Sequence, residues 1–187
     1  MRIFRKGCIL AILLVLSLVM IAGCTGPAEK TVKAGDNVTV DYIGWFNNGT
    51  IFDTSIASVA QDAGIYHPLR DYTPMSFIAG SGSMISGFDN ATMGMKVGES
   101  KNVTLSPAEA YGEYDPEMII PINMTDLTSQ NITPYVNQTL YIGYTGQPVR
   151  VHSIPNNTTV LIDVNSPMAG KSLNFKITVR DIQSGNA

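Results

Sequence analysis

Short segments in which apolar and polar residues alternate constrain the fold of this chain more than any other feature. Residues 38–42 (Val-Thr-Val-Asp-Tyr) form one such segment, and residues 173–179 (Leu-Asn-Phe-Lys-Ile-Thr-Val) form another. Successive side chains of a β-strand point to opposite faces, so the alternation predicts two strands that each bury one face. We expect the second segment to be a central strand. An Asn-Asn-Gly sequence at residues 47–49 predicts a hairpin turn after the first strand.

Two short helical segments and four more strands are predicted in the rest of the chain. Residues 84–93 carry apolar side chains on one helical face, and Gly94 supplies a left-handed stop. Residues 106–109 (Ser-Pro-Ala-Glu) are typical of a capping box, and the turn that they form would present Tyr111. The further strands are predicted over residues 101–105, 139–144, 149–154 and 159–164. The chain should therefore be mostly β, with one or two short helices.

The N-terminal residues 1–24 have the pattern of an export signal. Basic residues precede an uncharged, mainly apolar run at residues 8–22, and no acidic residue occurs before Glu29. The run is shorter than the roughly 18 residues or more expected of a membrane-spanning helix, which favours a signal-peptide core. Its ending, Ile21-Ala22-Gly23-Cys24, resembles a bacterial-type lipobox, in which Cys24 becomes the lipidated first residue. The alternative is an uncleaved N-terminal anchor in which Cys24 has no role.

Both alternatives place the folded part outside the cytoplasmic membrane and close to its outer face, joined to it by a tether at residues 25–33. Cys8 and Cys24 are the two cysteines of the chain, so the rest of the chain has no disulfide framework and no thiolate chemistry. Beyond residue 23 the chain has 9 basic and 15 acidic residues, a net charge of −6. An acidic surface repels phosphate backbones, so no nucleic acid partner is expected. No metal and no cofactor are predicted, and we expect a monomer.

Asn-x-Thr acceptor sites are unusually frequent. Of the 13 Asn residues, 9 have Thr two places further on without an intervening Pro. The Ser and Thr content of the chain would produce about two such sites by chance. Such sites belong on the surface loops of exported proteins, which predicts a glycoprotein. The alternative is an Asn- and Thr-rich composition with many turns. The acceptors are Asn37, Asn48, Asn90, Asn102, Asn123, Asn131, Asn137, Asn156 and Asn157.

Six motifs, in the same order as in the family, make the chain resemble FKBP-type peptidyl-prolyl isomerases over most of residues 32–182. They are Val40-Asp41-Tyr42-Ile43-Gly44, Gly49-x-x-Phe52-Asp53-Thr54-Ser55, Pro74-Met75-Ser76-Phe77-Ile78-Ala79-Gly80, Met84-Ile85-Ser86-Gly87-Phe88, Gly94-Met95-x-Val97-Gly98-Glu99 and Pro107-x-x-Ala110-Tyr111-Gly112. The resemblance implies a β-rich α+β fold, in which an antiparallel half-barrel sheet wraps a short helix. It also implies isomerisation of X–Pro bonds in proline-containing peptides and unfolded client proteins.

The later part of the chain is similar to the SlyD-like branch, which inserts a small β domain into the flap. The implied isomerase domain covers residues 34–121 and 164–183, and the implied insert covers residues 122–163. In relatives this insert holds unfolded chains, so a chaperone activity is implied beside isomerisation. Residues 56–72 form a second insertion, which looks like the bulge of the long archaeal members. The alternative function is a catalytically weak, FKBP-like module that binds clients at the cell envelope.

The resemblance also implies the site. An X–Pro bond rotates over a barrier of about 18–20 kcal/mol, and the twisted amide, which has lost its resonance, suits an apolar pocket without water. Asp53 would orient side chains at the pocket edge, Tyr111 would donate to the substrate carbonyl, and Phe88 would form the floor. The implied catalytic residues are Tyr42, Phe52, Asp53 and Tyr111. The implied substrate-binding residues are Met75, Met84, Ile85, Phe88, Phe175, Ile119 and Ile120.

Overall fold

Two antiparallel sheets account for most of the regular structure in the computed structural model, which describes residues 29–142 and 146–185. The predicted signal, lipobox and anchor, and the first residues of the tether, lie outside the described residues. In chain order the strands are β1 (Asn37–Phe46), β2 (Ile51–Thr54), β3 (Met75–Ile78), β4 (Ser100–Leu105), β5 (Ile119–Asn123), β6 (Thr139–Ile142), β7 (Gln147–Ser153), β8 (Thr159–Asp163) and β9 (Leu173–Gln183). The α-helices are α1 (Ala57–Asp62), α2 (Ser86–Thr92) and α3 (Met124–Thr128).

The first sheet is built around β1 and β9, which pair antiparallel along the whole of β1. The strand order is β2-β1-β9-β4, and β3 pairs with the N-terminal half of β1. The prediction that β9 is a central strand is therefore confirmed. Alternate residues of β1 and β9 are buried, including Val38, Val40, Ile177 and Val179, none of which is exposed to solvent. The strand pattern thus directs one apolar face of the sheet onto a single core.

Helix α2 covers that face of the sheet. It begins at Ser86, two residues after the predicted start, and Gly94 follows it with a φ of +76°, as predicted. Gly87 allows the close approach of the next segment, because a Cβ atom there would lie 2.6 Å from Leu105 Cδ2 and 3.0 Å from Glu109 Cβ. The helix therefore holds Phe88 against the sheet while its first turn contacts the segment before Tyr111.

The second sheet has the order β5-β8-β7-β6 and lies between β4 and β9 in the sequence. Three of its strands match predicted ones, whereas β5 and α3 were not predicted. The predicted strand at residues 139–144 ends at Ile142 among the described residues. This sheet has an aliphatic core of its own, which consists of Leu127, Leu140, Val149, Val151, Val160 and Ile162. The predicted fold class, with antiparallel sheets and few helices, is confirmed.

A group of hydrogen bonds joins the two chain segments that connect the sheets. The Asp115 amide donates to Asn165 Oδ1 at 3.0 Å, and Asn165 Nδ2 donates to the Asp115 carbonyl and to Asp163 Oδ1, both at 2.9 Å. The Tyr114 hydroxyl donates to Asp163 Oδ2 at 3.2 Å. Burial raises the pKa of Asp163, but the hydrogen bonds from Asn165 and Tyr114 and the Arg150 charge outweigh it and lower that pKa. We call these residues (Tyr114, Asp115, Asp163 and Asn165) the junction cluster.

The structure differs from the predicted tether at its C-terminal end. Val32 is 3% exposed, its amide donates to the Met95 carbonyl at 2.9 Å, and its carbonyl accepts from the Gly94 amide at 2.9 Å. An apolar residue with both backbone groups paired belongs to the core, so the predicted range 25–33 extends too far.

Within residues 29–142 and 146–185, no helix has the length and apolar character needed to cross a membrane.

Candidate active site

Phe88 is the centre of an aromatic cluster on the covered face of the first sheet. It is 2% exposed. Its ring lies 6.1 Å from that of Tyr42 and 5.3 Å from that of Phe175, both nearly perpendicular, and 6.1 Å from that of Phe77. Perpendicular aromatic pairs are stabilised by about 0.5–1.5 kcal/mol beyond the burial of their area. The rings are therefore held at fixed angles, as the floor of a binding pocket requires.

Phe52 continues the cluster toward solvent. Its ring lies 5.7 Å from that of Phe175 at an angle of 90° and 4.8 Å from that of Phe46. Gly44 makes this position possible, since a Cβ atom there would lie 2.7 Å from Phe52 Cζ. Phe52 is only partly buried, and three further predicted residues pack against the same core while partly exposed. These are Met75, Met84 and Ile85. The cluster thus has an apolar rim that a ligand can reach.

Asp53 provides the polar edge of this apolar surface. The Tyr42 hydroxyl donates to Asp53 Oδ2 at 2.7 Å, and the Thr54 amide donates to Asp53 Oδ1 at 2.9 Å. Burial of Tyr42, followed by its hydrogen bond to Asp53 and the charge of that carboxylate, raises the pKa of the Tyr42 hydroxyl to about 12. Tyr42 therefore remains a neutral hydrogen-bond donor throughout the physiological range.

Arg70 completes the edge and is a site residue that the sequence analysis missed. Its Nη1 lies 2.5 Å from Asp53 Oδ1, and its Nη2 donates to the Tyr42 hydroxyl at 3.0 Å. The guanidinium is 41% exposed and the carboxylate 35%, so the pair lies at the mouth of the site and not in the core. Arg70 is the single basic residue between Lys33 and Lys96, and this isolation in the sequence was the signal that could have identified it.

The insertion at residues 56–72 folds so that Arg70 reaches Asp53. The Tyr66 and Tyr72 rings stack 5.2 Å apart, and the guanidinium of Arg70 lies 5.2 Å above the Tyr72 ring. The Tyr72 hydroxyl accepts from the His67 amide at 3.0 Å, which closes the loop. The insertion therefore forms one wall of the candidate site. It also contains α1, a helix that was not predicted from the sequence.

Tyr111 lies at the end of the predicted capping-box turn. The Glu109 carboxylate accepts from the Ser106 amide at 3.0 Å and from its hydroxyl at 2.7 Å, and the Ser86 hydroxyl donates to the Glu109 carbonyl at 3.3 Å. These bonds fix the turn against the start of α2. The Tyr111 side chain is 48% exposed, so its hydroxyl is accessible to a ligand.

Ile119 and Ile120 do not join this cluster. Both belong to β5 of the second sheet, where they pair with Asp163 and Ile162 of β8. Ile120 instead lines an apolar groove of about 190 Å³ in that sheet. The chain leaves the first sheet after Tyr111, and β5 begins at Ile119, so the place of these two residues at the pocket stays a prediction.

Comparison with known proteins agrees with this geometry. Residues 28–179 match the model of the family described as FKBP-type peptidyl-prolyl cis-trans isomerase. A short-type peptidyl-prolyl cis-trans isomerase of Methanocaldococcus jannaschii is 40% identical over 152 residues, which cover 81% of this chain and 94% of that protein. FK506-binding protein 1A of Neurospora crassa is 36% identical over 100 residues, which cover 54% of this chain and 72% of that protein.

The resemblance to the SlyD-like branch also has support. The FKBP-type peptidyl-prolyl cis-trans isomerase SlyD of Aeromonas hydrophila is 28% identical over 153 residues, which cover 80% of this chain and 64% of that protein. The finer assignment to the long archaeal type stays a prediction. The match to the family model covers far more than half of the chain and includes every residue of the aromatic cluster and its polar edge. This chain belongs to the FKBP-type peptidyl-prolyl cis-trans isomerase family.

Proposed function

We propose that the aromatic cluster bordered by Tyr42, Asp53 and Arg70 is the site at which this protein isomerises X–Pro bonds. The observation that carries the proposal is the contact between a hydrogen-bonded polar edge and an accessible apolar rim. Phe52 belongs to the rim and Asp53, the next residue, to the edge, so β2 supplies both. A proline ring fits the apolar part, while the neighbouring amide meets the polar part.

The reaction needs no nucleophile and no proton transfer. The barrier of about 18–20 kcal/mol arises from amide resonance, and a twisted amide has lost part of its dipole. An apolar surface that excludes water therefore binds the twisted amide better than either planar form, which lowers the barrier. Asp53 already accepts hydrogen bonds from Tyr42, Arg70 and Thr54, so its role is to hold the edge. Tyr111 donates to the substrate carbonyl.

A protease-coupled assay with an X–Pro peptide and the full-length chain tests this site. Asp53→Ala and Tyr111→Phe should each lower kcat/KM at least fivefold while the far-ultraviolet circular dichroism stays unchanged. The matched controls are Asp126→Ala and Tyr135→Phe, which change exposed residues in the region of the second sheet and should leave the rate unchanged. A folded wild-type protein without a rate above the thermal background would contradict the enzymatic function and favour a client-binding module.

The second sheet is proposed to be an inserted domain that binds unfolded client chains in its apolar groove. The groove residues that carry this proposal are Ile120, Ile122, Leu127, Ile132, Leu140 and Val164. Tyr114 and Met118, which lie between Tyr111 and Ile120 in the sequence, are also exposed. We propose that an extended client contacts the groove while one of its prolines occupies the aromatic cluster.

Removing the second sheet tests this division of labour. Ile120 and Ile162 pair across β5 and β8, and paired Cα atoms of antiparallel strands lie about 5 Å apart, so a short glycine-containing turn can replace residues 121–161. The shortened protein should retain most of its rate on a small X–Pro peptide but refold a proline-limited protein client at least tenfold more slowly. An equal loss on both substrates would contradict separate roles.

We also propose that the protein acts outside the cytoplasmic membrane, held at its outer face through the N-terminus. The support is the basic start, the apolar run at residues 8–22 and Cys24. Stable anchoring takes more than one acyl chain, so a lipidated Cys24 should place the protein in the membrane pellet. Cys24→Ser should abolish lipid labelling if Cys24 is lipidated, and should fractionate as wild type if the segment is an uncleaved anchor. A wholly soluble wild-type protein would contradict both forms.

A further inference from the structure

The Asn-x-Thr sites have a distribution in the structure that composition does not explain. Eight of the nine acceptor asparagines are exposed, and Asn37 on β1 is half-buried. Five of the nine lie in residues 119–163, the 45 residues that span the second sheet. None of the nine belongs to the aromatic cluster or its polar edge. The acceptors are thus mostly at the surface, and more than half of them lie in the region of the second sheet.

Turn formation accounts for only part of the pairing of Asn with Thr. An Asn side chain often accepts a hydrogen bond from the backbone two residues further on, and such turns could enrich the pattern without any modification. Asn48, Asn123 and Asn156 do accept from the amide of their Thr, at 3.0, 3.1 and 2.9 Å. The other six acceptors have no such bond among the described residues, so turns do not explain those pairs.

The threonines of these other sites have different partners or none. Thr92 donates to the Asp89 carbonyl at 2.7 Å and is fully buried, so Asn90 is a poor acceptor once the chain has folded. Thr104 donates to Asn174 Oδ1 at 2.7 Å. At Asn131 and Asn137 both the Asn and its Thr are exposed, and these two asparagines have positive φ values, 58° and 70°. They lie in turns, where an acceptor is accessible from outside.

We propose that the second sheet is N-glycosylated, with Asn131 and Asn137 as the principal sites. At each of them the Asn and the Thr two residues later are exposed. In the transfer, the Asn amide nitrogen forms a bond to C1 of a sugar carried by a lipid phosphate. The C1–O bond breaks with its electron pair on the phosphate, and the amide proton passes to a base of the transferring enzyme.

A glycan at Asn131 would stand at the rim of the apolar groove, because Gln130 and Ile132 on either side of it line that groove. A hydrated sugar at this position would restrict which client segments can enter. The inference therefore deepens the proposed function and rests on its placement outside the membrane, but it leaves the isomerase site uncovered. Glycosylation should thus change client binding without changing the rate on a small X–Pro peptide.

The experiment compares full-length protein recovered from membranes of its own cells with protein made in a bacterial host that lacks N-glycosylation. Peptide mass spectrometry should find added sugar on the peptides that contain Asn131 and Asn137 in the first preparation only. Thr133→Ala should remove the sugar from Asn131, and Thr133→Ser should keep it. Unmodified masses at both sites in the membrane preparation would overturn the proposal.

Two activity measurements on the same preparations separate this proposal from the proposed function. The X–Pro peptide rate should agree within twofold between glycosylated and unglycosylated protein, whereas Thr133→Ala should raise the affinity of the glycosylated protein for an unfolded client at least threefold. If sugar is present but Thr133→Ala leaves client affinity unchanged, the role at the groove is overturned. If the unglycosylated protein lacks isomerase activity altogether, the proposed function is contradicted, whether or not mass spectrometry finds sugar on the acceptor peptides.

Discussion

The two sheets present binding surfaces of different kinds. The site on the first sheet has aromatic rings at nearly perpendicular angles and a carboxylate with three hydrogen-bond donors. The groove on the second sheet is lined mainly by aliphatic side chains, and Gln130 and the Tyr141 hydroxyl are its polar side-chain groups. A surface with fixed hydrogen-bonding groups selects one geometry of a ligand. An aliphatic surface can bind peptides of many different sequences.

This difference suits the isomerisation of X–Pro bonds on one sheet and the proposed binding of unfolded client chains on the other. Rotation of an X–Pro bond has one transition-state geometry, so its site must be rigid and must hold the polar groups in place. Retention of unfolded chains requires tolerance of many side chains, which non-directional apolar contacts provide. The junction cluster of Tyr114, Asp115, Asp163 and Asn165 joins the two chain segments that connect the sheets.

The largest effect is expected from Phe88→Ala. Removing a fully buried Phe leaves a cavity and costs about 3–5 kcal/mol of the free energy of unfolding. Because Phe88 also supports Tyr42 and Phe175, kcat/KM should fall at least a hundredfold. Val160→Ala in the core of the second sheet is the matched control, since it destabilises the protein but should leave kcat/KM per folded molecule within twofold. Equal loss of activity in both variants would mean that the two surfaces are not independent.

A smaller effect is expected at the junction, where Asp163→Ala removes a carboxylate whose side chain is 7% exposed. Loss of an acceptor for buried donors should cost about 1–3 kcal/mol. The folded-state pKa of Asp163 lies below its ordinary value of about 3.9, so its stabilisation is complete above that pH and is lost as the pH falls through the folded pKa.

Urea unfolding at several pH values checks this. The difference in the free energy of unfolding between wild type and Asp163→Ala should be constant from pH 5 to 7 and should shrink below about pH 4. The exposed Asp126→Ala is the control and should show no such difference. A difference that does not change with pH would mean that the carboxylate charge contributes nothing at the junction.

Much of the first sheet could be predicted from the sequence, because its strands alternate apolar and polar residues and its turns carry Asn, Gly and Pro. The helix with Phe88 and the turn before Tyr111 were predicted for the same local reasons. Strand β5 was missed for two reasons. Apolar and polar residues do not alternate in Ile119-Ile120-Pro121, and Pro121 has no backbone N–H to donate within a sheet. Its strand conformation comes from its pairing with β8. The sequence of β5 alone does not reveal that β8 is its partner.

The apolar residues of the candidate site and its carboxylate, Asp53, were predicted, whereas its cation, Arg70, was missed. Phe52, Asp53 and Phe88 belong to motifs whose order in the chain is specific. Arg70 lies 17 residues beyond Asp53, in an insertion without any pattern, and only the folding of that insertion brings the two together.

A modest effect is expected from Arg70→Ala, which removes the cation from the edge of the isomerase site. Exposed ion pairs contribute about 1 kcal/mol or less, so stability should change little. The rate should fall more clearly, about fivefold in kcat/KM, because Asp53 and Tyr42 each lose a hydrogen-bond donor that fixes their position. Arg70→Lys should recover part of this loss, since an ammonium can bind Asp53 but cannot also donate to Tyr42 in the same planar arrangement. An unchanged rate in Arg70→Ala would mean that the edge works without its cation.

The smallest effect is expected from Tyr72→Leu, which tests whether the insertion acts on the site through the Tyr66–Tyr72–Arg70 stack. A cation over an exposed aromatic ring contributes about 0.5–1 kcal/mol. If the stack holds Arg70 on Asp53, Tyr72→Leu should lower kcat/KM about twofold to threefold in the wild-type background and should have no effect in Arg70→Ala. Tyr72→Phe is the matched control for the ring, because it keeps the stack and removes only the hydroxyl that accepts from the His67 amide. An equal loss of kcat/KM from Tyr72→Leu in the wild-type and Arg70→Ala backgrounds would show that Tyr72 does not act through Arg70. The insertion would then line the site without positioning the Arg70 guanidinium.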